Sequence, residues 1–151
     1  MSNFETRKAH KSDLKSVVSL IRELAEFEKL LDDCKITEEL LEKAIFNKDK
    51  FVELLVAEVN SKIKGYAIFF YNFSTFSGEK GLFLEDIYVQ PDARKTGIGK
   101  ALVDQIIKIG LEENCSKFEG VVLDWNTNAK KFYQDLGAKP LSDWVLYRLQ
   151  K

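Results

Sequence analysis

Proline and cysteine each occur twice and histidine and methionine once in 151 residues. So little proline, with only eight glycines, excludes collagenous and low-complexity chains. One histidine, His10, and two distant cysteines, Cys34 and Cys115, offer no metal-ligand spacing and no CxxC, so no metal is expected and both thiols are read as ordinary reduced ones. No apolar run approaches the roughly 20 residues that span a bilayer, and Met1 to Arg7 lacks the apolar stretch of a secretory signal, which predicts a cytoplasmic protein with no membrane partner. Neither charge sign is in excess: 23 Lys and Arg against 24 Asp and Glu give −1, which argues against a chain built to wrap nucleic acid. What is present is a core, since 45% of residues are hydrophobic and 12% aromatic. At this length one domain over 1–151, burying roughly 70% of its unfolded surface, is expected.

Residues 3–8 are compatible with an edge strand, and Ser12-Asp13 can cap a helix. Leu14, Val17, Val18, Ile21, Leu24 and Ala25 then recur at helical spacing, with Lys15, Arg22, Glu23 and Glu26 on the opposite, solvated face. Thr37-Glu38-Glu39 opens a second helix that buries Leu40, Leu41, Ala44 and Ile45. From Phe51 the period becomes two: strands over 51–59 and 62–73 meet at Asn60-Ser61, a turn-rich loop spans 73–81, and a strand over 82–89 stops at Pro91. A helix carrying Leu102, Val103, Ile106 and Ile107 follows, then a strand over 116–124, a short helix that Asn126 can cap and Gly137 can end, and a final strand over 144–149. The order β-α-α-β-β-β-α-β-α-β predicts an α/β (α+β) chain whose mixed sheet carries helices on its faces.

Between the strand ending at Val89 and the next helix lies Arg94-Lys95-Thr96-Gly97-Ile98-Gly99-Lys100. A strand that runs through a glycine turn into a helix gathers unpaired N–H groups and the positive end of the helix dipole, and three cations stand beside them. The turn is no Walker A loop, because Arg94 and Ala101 replace its glycine and hydroxyl, and Leu102 breaks GxGxxG. Alone, it is either an anion cradle or a tight turn with solvated lysines.

With its neighbours the turn is more specific. Arg94-x-x-Gly97-x-Gly99 following Leu84-Glu85-Asp86-Ile87-Tyr88-Val89 resembles the acyl-CoA pyrophosphate loop of the GNAT acetyltransferase superfamily. Adding Arg7, Glu23 to Glu28, Trp125-Asn126, Phe132-Tyr133 and Gly137-Ala138, the chain most resembles the spermidine/spermine (diamine) acetyltransferase branch. The resemblance implies the GNAT fold, a mostly antiparallel twisted sheet of six to seven strands flanked by four helices. It also implies an acetyl-CoA-dependent homodimer acting by direct transfer on a small polyamine- or diamine-like amine, with thialysine- or lysine-like amino acids and protein Lys or N-termini as alternatives. Arg94 to Lys100 would hold the CoA pyrophosphate, and the backbone of Ile87, Tyr88 and Val89 would pair with pantetheine like an added strand.

The same resemblance makes Tyr133 the general acid. A phenol of pKa about 10 stays protonated against a departing thiolate whose thiol titrates near 8.5. Asn126, seven residues earlier, is a CoA contact, a helix cap, or both. An alkylamine of pKa about 10.4 is roughly 0.04% neutral at pH 7, a deficit of about 4.6 kcal/mol, so a carboxylate near the amine is needed. The branch gives this role to Glu85; Asp86 either binds substrate or makes a structural contact. Residues 22–43 hold eight acids and four bases, mostly a solvated face, though Phe27 and Glu28 match positions lining the amine site and Glu119 a further substrate contact. Trp144 lines the amine channel or packs at the dimer interface. The stretch Phe73-Ser74-Thr75-Phe76 lacks an acidic residue that the animal spermidine enzymes use there, and Ser142 replaces a carboxylate two residues before Trp144, which favours a shorter or singly charged amine.

Overall fold

The computed structural model describes residues 3–151. The chain clusters into two compact units, 1–121 and 122–151. In the first, β1 (Phe4–Lys8) leads to α1 (Leu14–Phe27) and α2 (Glu38–Phe46). Then come β2 (Glu53–Val59), β3 (Lys62–Ser74), β4 (Glu79–Val89), α3 (Ile98–Glu112) and β5 (Phe118–Gly120). The sheet runs β1-β2-β3-β4-β5, with antiparallel neighbours up to β4 and β5 parallel to β4.

The two periodicities of the sequence build two cores on this sheet. Leu14, Val17 and Leu20 of α1 and Leu41 and Ile45 of α2 pack on Leu54, Val56, Tyr66, Ile68 and Tyr88. The other face meets α3, whose Ile98, Leu102 and Ile106 are buried. Thr37 caps α2 as expected, its Oγ1 accepting from Leu40 N–H at 3.1 Å. Asp13 does not cap α1. It is buried, accepts from His10 N–H at 2.7 Å and pairs with the Arg7 guanidinium at 2.7 Å, while Arg7 also reaches Glu58 at 2.6 Å, tying β1, β2 and the start of α1 together. The guanidinium holds the Asp13 carboxyl below its ordinary range.

The second unit holds α4 (Thr127–Asp135), capped by Asn126 Oδ1 accepting from Ala129 N–H at 3.1 Å and ended by Gly137 at φ +88°. Three expectations are corrected. Among the described residues the sheet has five strands, not six to seven, because 116–124 pairs only over Phe118–Gly120 and 144–149 forms no ladder: alternation marks a potential strand, but a strand exists only where a partner takes up its N–H and C=O groups. Trp144 is 78% and Leu149 103% exposed. The segment 73–81 is not a loop, since β3 and β4 extend through it as paired strands (Phe73↔Lys80, Ser74↔Glu79) and leave a turn over 75–78.

Candidate active site

Strand β4 carries the decisive irregularity. Opposite β3, Phe69 faces Leu84 and Ile68 faces Asp86, so Glu85 is an extra residue without a partner, a β-bulge. Unbroken alternation would put Leu82, Leu84, Asp86 and Tyr88 on one face. Instead Leu82 lies near Gly110 of α3, while Tyr88 joins the α1/α2 core and Asp86 meets the Tyr66 hydroxyl, which donates to Asp86 Oδ2 at 3.3 Å. The bulge exchanges the faces of the strand midway. It places Asp86 under α1 and leaves Glu85 exposed.

Asp86 lines a depression of about 200 Å³ with Ile21, Leu24, Ala25 and Glu28 from α1 and its end, and Leu30, Asp33 and Cys34 from the turn that follows. Three carboxylates face apolar walls and one thiol, with no cation among the lining residues. Burial, then the charge of neighbouring Glu85, pushes the Asp86 carboxyl up to about 6 against the hydrogen bond from Tyr66; Glu28, beyond it, adds a smaller push in the same direction. Burial also raises Glu28. Such a lining has the charge and the apolar walls to suit an alkyl cation, with one carboxylate shifted toward neutral pH.

Of the residues expected here, the structure brings together Asp86 and Glu28. Glu85 adjoins the pocket in sequence but is not among its walls. Phe27 ends α1 and is 43% exposed. Glu119, on β5 opposite Phe83, pairs with Lys117 at 3.0 Å. Tyr133, Asn126 and Trp144 belong to the second unit, where Tyr133 makes an edge contact with Phe132 at 5.4 Å. Asp33, Cys34, Tyr66 and Glu23 escaped the sequence reading. Helical periodicity assigned Glu23 to solvent, and nothing local marks a buried tyrosine as a carboxylate partner. Asp33 had one usable signal, its place in an acidic run just beyond Glu28.

The β4–β5 ladder stops at Leu84↔Gly120, so the edge of β4 over 85–89 lies beyond the reach of β5. Past Val89, a 3-10 turn (Pro91–Ala93) leads into the glycine turn. Gly97 is at φ +91° with open space where a side chain would stand, a left-handed conformation natural to glycine, and Lys95 at φ +61° helps reverse the chain. The first helical bond is Ala101 N–H to the Gly97 carbonyl at 2.9 Å, so the N–H groups of Ile98, Gly99 and Lys100 have no partner within α3. Buried Ile98 anchors the helix start while Lys95, Thr96 and Lys100 remain exposed. The Thr96 hydroxyl donates to the Ala93 carbonyl at 2.7 Å, and Lys100 pairs with Asp104 at 2.6 Å. Arg94 folds back, its Nε–H donating to the Val89 carbonyl at 2.8 Å and its guanidinium lying 5.5 Å from the centre of the Tyr88 ring. Exposed backbone donors beside fixed cations suit a pyrophosphate, and the open edge of β4 leading to them suits an extended amide chain, so these residues fit CoA.

A profile of the acetyltransferase (GNAT) family matches residues 18–138. The thialysine N-epsilon-acetyltransferase of Mus musculus is 37% identical over 161 residues, covering 99% of this chain and 94% of that protein. Spermidine/spermine N(1)-acetyltransferase-like protein 1 of Homo sapiens is 30% identical, covering all of this chain and 23% of that protein. Among solved structures, a ribosomal-protein-alanine N-acetyltransferase from Brucella melitensis superposes with TM-score 0.79 at 23% identity, covering 99% of both chains, a likeness of fold. With the glycine turn, the bulged strand and these relatives in agreement, the chain belongs to the GNAT acetyltransferase family, the acetyl-CoA-dependent N-acetyltransferases.

Proposed function

We propose that the acceptor is a small, cationic alkylamine whose ammonium group enters the depression between α1 and β4. The observation that carries this is the lining itself: Glu28, Asp33 and Asp86 around Ile21, Leu24, Ala25 and Leu30, with no cation among them. A diamine or polyamine matches charge and alkyl chain at once. A thialysine- or lysine-like amino acid is the second reading, favoured by the 37% identical relative. It would place its side-chain amine in the pocket and its α-carboxylate outside.

Bound acetyl-CoA supplies an acetyl group already activated as a thioester. The backbone donors of Ile98, Gly99 and Lys100, together with Arg94 and Lys95, hold the pyrophosphate, and the edge of β4 over Ile87, Tyr88 and Val89 aligns the arm. Asp86 draws in the ammonium and takes one proton, the role that the family resemblance gave to Glu85; the freed lone pair then attacks the thioester carbonyl, and the second proton leaves the nitrogen to solvent as the tetrahedral intermediate collapses. The Tyr66 hydroxyl occupies Oδ2 and leaves Oδ1 toward the amine. Tyr133 returns a proton to the departing sulfur, supported by the match to the family at that position and by the pKa order of phenol and thiol. No acyl-enzyme is required. A homodimer remains our expectation, supported by the exposed apolar run Trp144 to Leu149.

The test is acetyl-CoA consumption over diamines, polyamines, thialysine, lysine and peptides. Because 73–81 is strand rather than cover, peptides need the same scrutiny as small amines. Turnover confined to diamines, polyamines or thialysine supports the proposal, and turnover on peptides alone overturns it.

A further inference from the structure

Glu23 sits on α1, the helix that supplies Ile21, Leu24 and Ala25 to the acidic pocket, yet its carboxylate is turned toward β4. Its Oε2 accepts from the Tyr88 hydroxyl at 3.1 Å and its Oε1 from Gln90 Nε2 at 2.8 Å. Both donors belong to the last stretch of chain before the phosphate turn. Tyr88 is the ring against which the Arg94 guanidinium rests at 5.5 Å, and Arg94 is fixed a second time through the Val89 carbonyl. Gln90 is pinned by its own N–H to the Lys64 carbonyl at 2.8 Å, and Lys64 in turn pairs with Asp92 at 2.8 Å. Glu23 is thus the only residue of α1 hydrogen-bonded through its side chain to this stretch among the described residues.

We infer that Glu23 is a positioning residue for the cofactor site: acting from the amine-side helix through Tyr88 and Gln90, it sets the perch on which Arg94 meets the pyrophosphate. The chemistry favours a carboxylate there. A phenol that donates to an anion carries a more electron-rich ring, which attracts a guanidinium more strongly, and two accepted hydrogen bonds fix the strand end in rotation as well as position. Holding a carboxylate near a dianion site opposes phosphate binding. Both Glu23 oxygens are instead engaged by the Tyr88 hydroxyl and the Gln90 amide, which is consistent with positioning and not with direct ligand contact. The inference rests on assigning the Arg94–Lys100 turn to CoA.

The test measures the dissociation constant of CoA for the full chain by calorimetry, with thermal melting alongside. Glu23→Ala is expected to weaken CoA about tenfold and Tyr88→Phe, which keeps the ring, about threefold, at or below the worth of one charge-assisted hydrogen bond because both act through Arg94 and not on the ligand. Glu23→Gln, retaining one acceptor oxygen, should fall between Glu23→Ala and wild type. In steady state the loss should appear in KM for acetyl-CoA with kcat unchanged, whereas a merely structural role would lower the melting temperature and kcat together. The double variant should weaken CoA less than the product of the single effects, because both act through one contact. CoA affinity within twofold of wild type in both folded single variants, or multiplicative effects in the double, would overturn the inference. A wild-type chain that fails to bind CoA would overturn it together with the site assignment, so the two failures are told apart.

Discussion

Replacing Glu85 and Asp86 one at a time sets the carboxylate that the family resemblance selects against the one that lines the acidic depression. An acceptor amine at pH 7 lacks about 4.6 kcal/mol of its neutral form, and an ordinary carboxylate is a base too weak to help much. Raising the Asp86 carboxyl from its ordinary value to about 6 improves its match to the amine by on the order of 3 kcal/mol, while leaving about nine-tenths of it ionised at pH 7. Asp86→Asn should therefore lower kcat/KM by roughly a hundredfold or more at pH 7, abolish the acid limb near pH 6, and approach wild type above pH 9, where neutral amine is supplied by solvent. Glu85→Gln removes the like charge that is second only to burial in raising Asp86, so its acid limb should move down with most of the rate retained. The assay is kcat/KM for the best amine between pH 5 and 10 with acetyl-CoA saturating. An acid limb near 6 that survives Asp86→Asn, or one that disappears in Glu85→Gln, would refute the assignment and return the base to Glu85.

The same carboxylate makes a stability prediction. Asp86 titrates at about 6 folded and near 4 unfolded, so the native state binds the proton more tightly and its stability falls as pH rises through the window from 4 to 6. Asp86→Asn should consequently stabilise the chain at pH 7 by on the order of 3 kcal/mol, seen as a higher melting temperature, with the gain vanishing below pH 4. Tyr66→Phe, which deletes the donor to Oδ2, should move the acid limb upward from 6; a limb that stays in place would show that the 3.3 Å contact is without effect. Tyr133→Phe should lose turnover while binding CoA normally, and undiminished turnover would exclude it as the acid. Arg7→Met strands buried Asp13 and should cost about 2–3 kcal/mol in urea unfolding, less in the pair Arg7→Met/Asp13→Asn.

Much of the fold was legible because its signals are local. Leu14 to Leu24 repeat at helical spacing, Thr37 and Asn126 carry side chains that cap the helices they precede, and the glycine turn declares a left-handed residue and a row of free N–H groups without reference to distant chain. The final strand was misjudged because alternation at 144–149 describes what a segment can do, whereas a ladder needs a partner.

By itself, then, the sequence determined the order of its elements as far as α4, the glycine turn and the acidic character of the first helices, all properties of neighbouring residues. Which carboxylate lines the acidic depression was decided only in three dimensions. A single unpaired residue, Glu85, shifts the pairing of β4 against β3 and carries Asp86 and Tyr88 to the α1 side, and only there can Asp86 meet Tyr66 and Tyr88 meet Glu23. Side chains in a strand take their direction from register, and register is set by the partner strand.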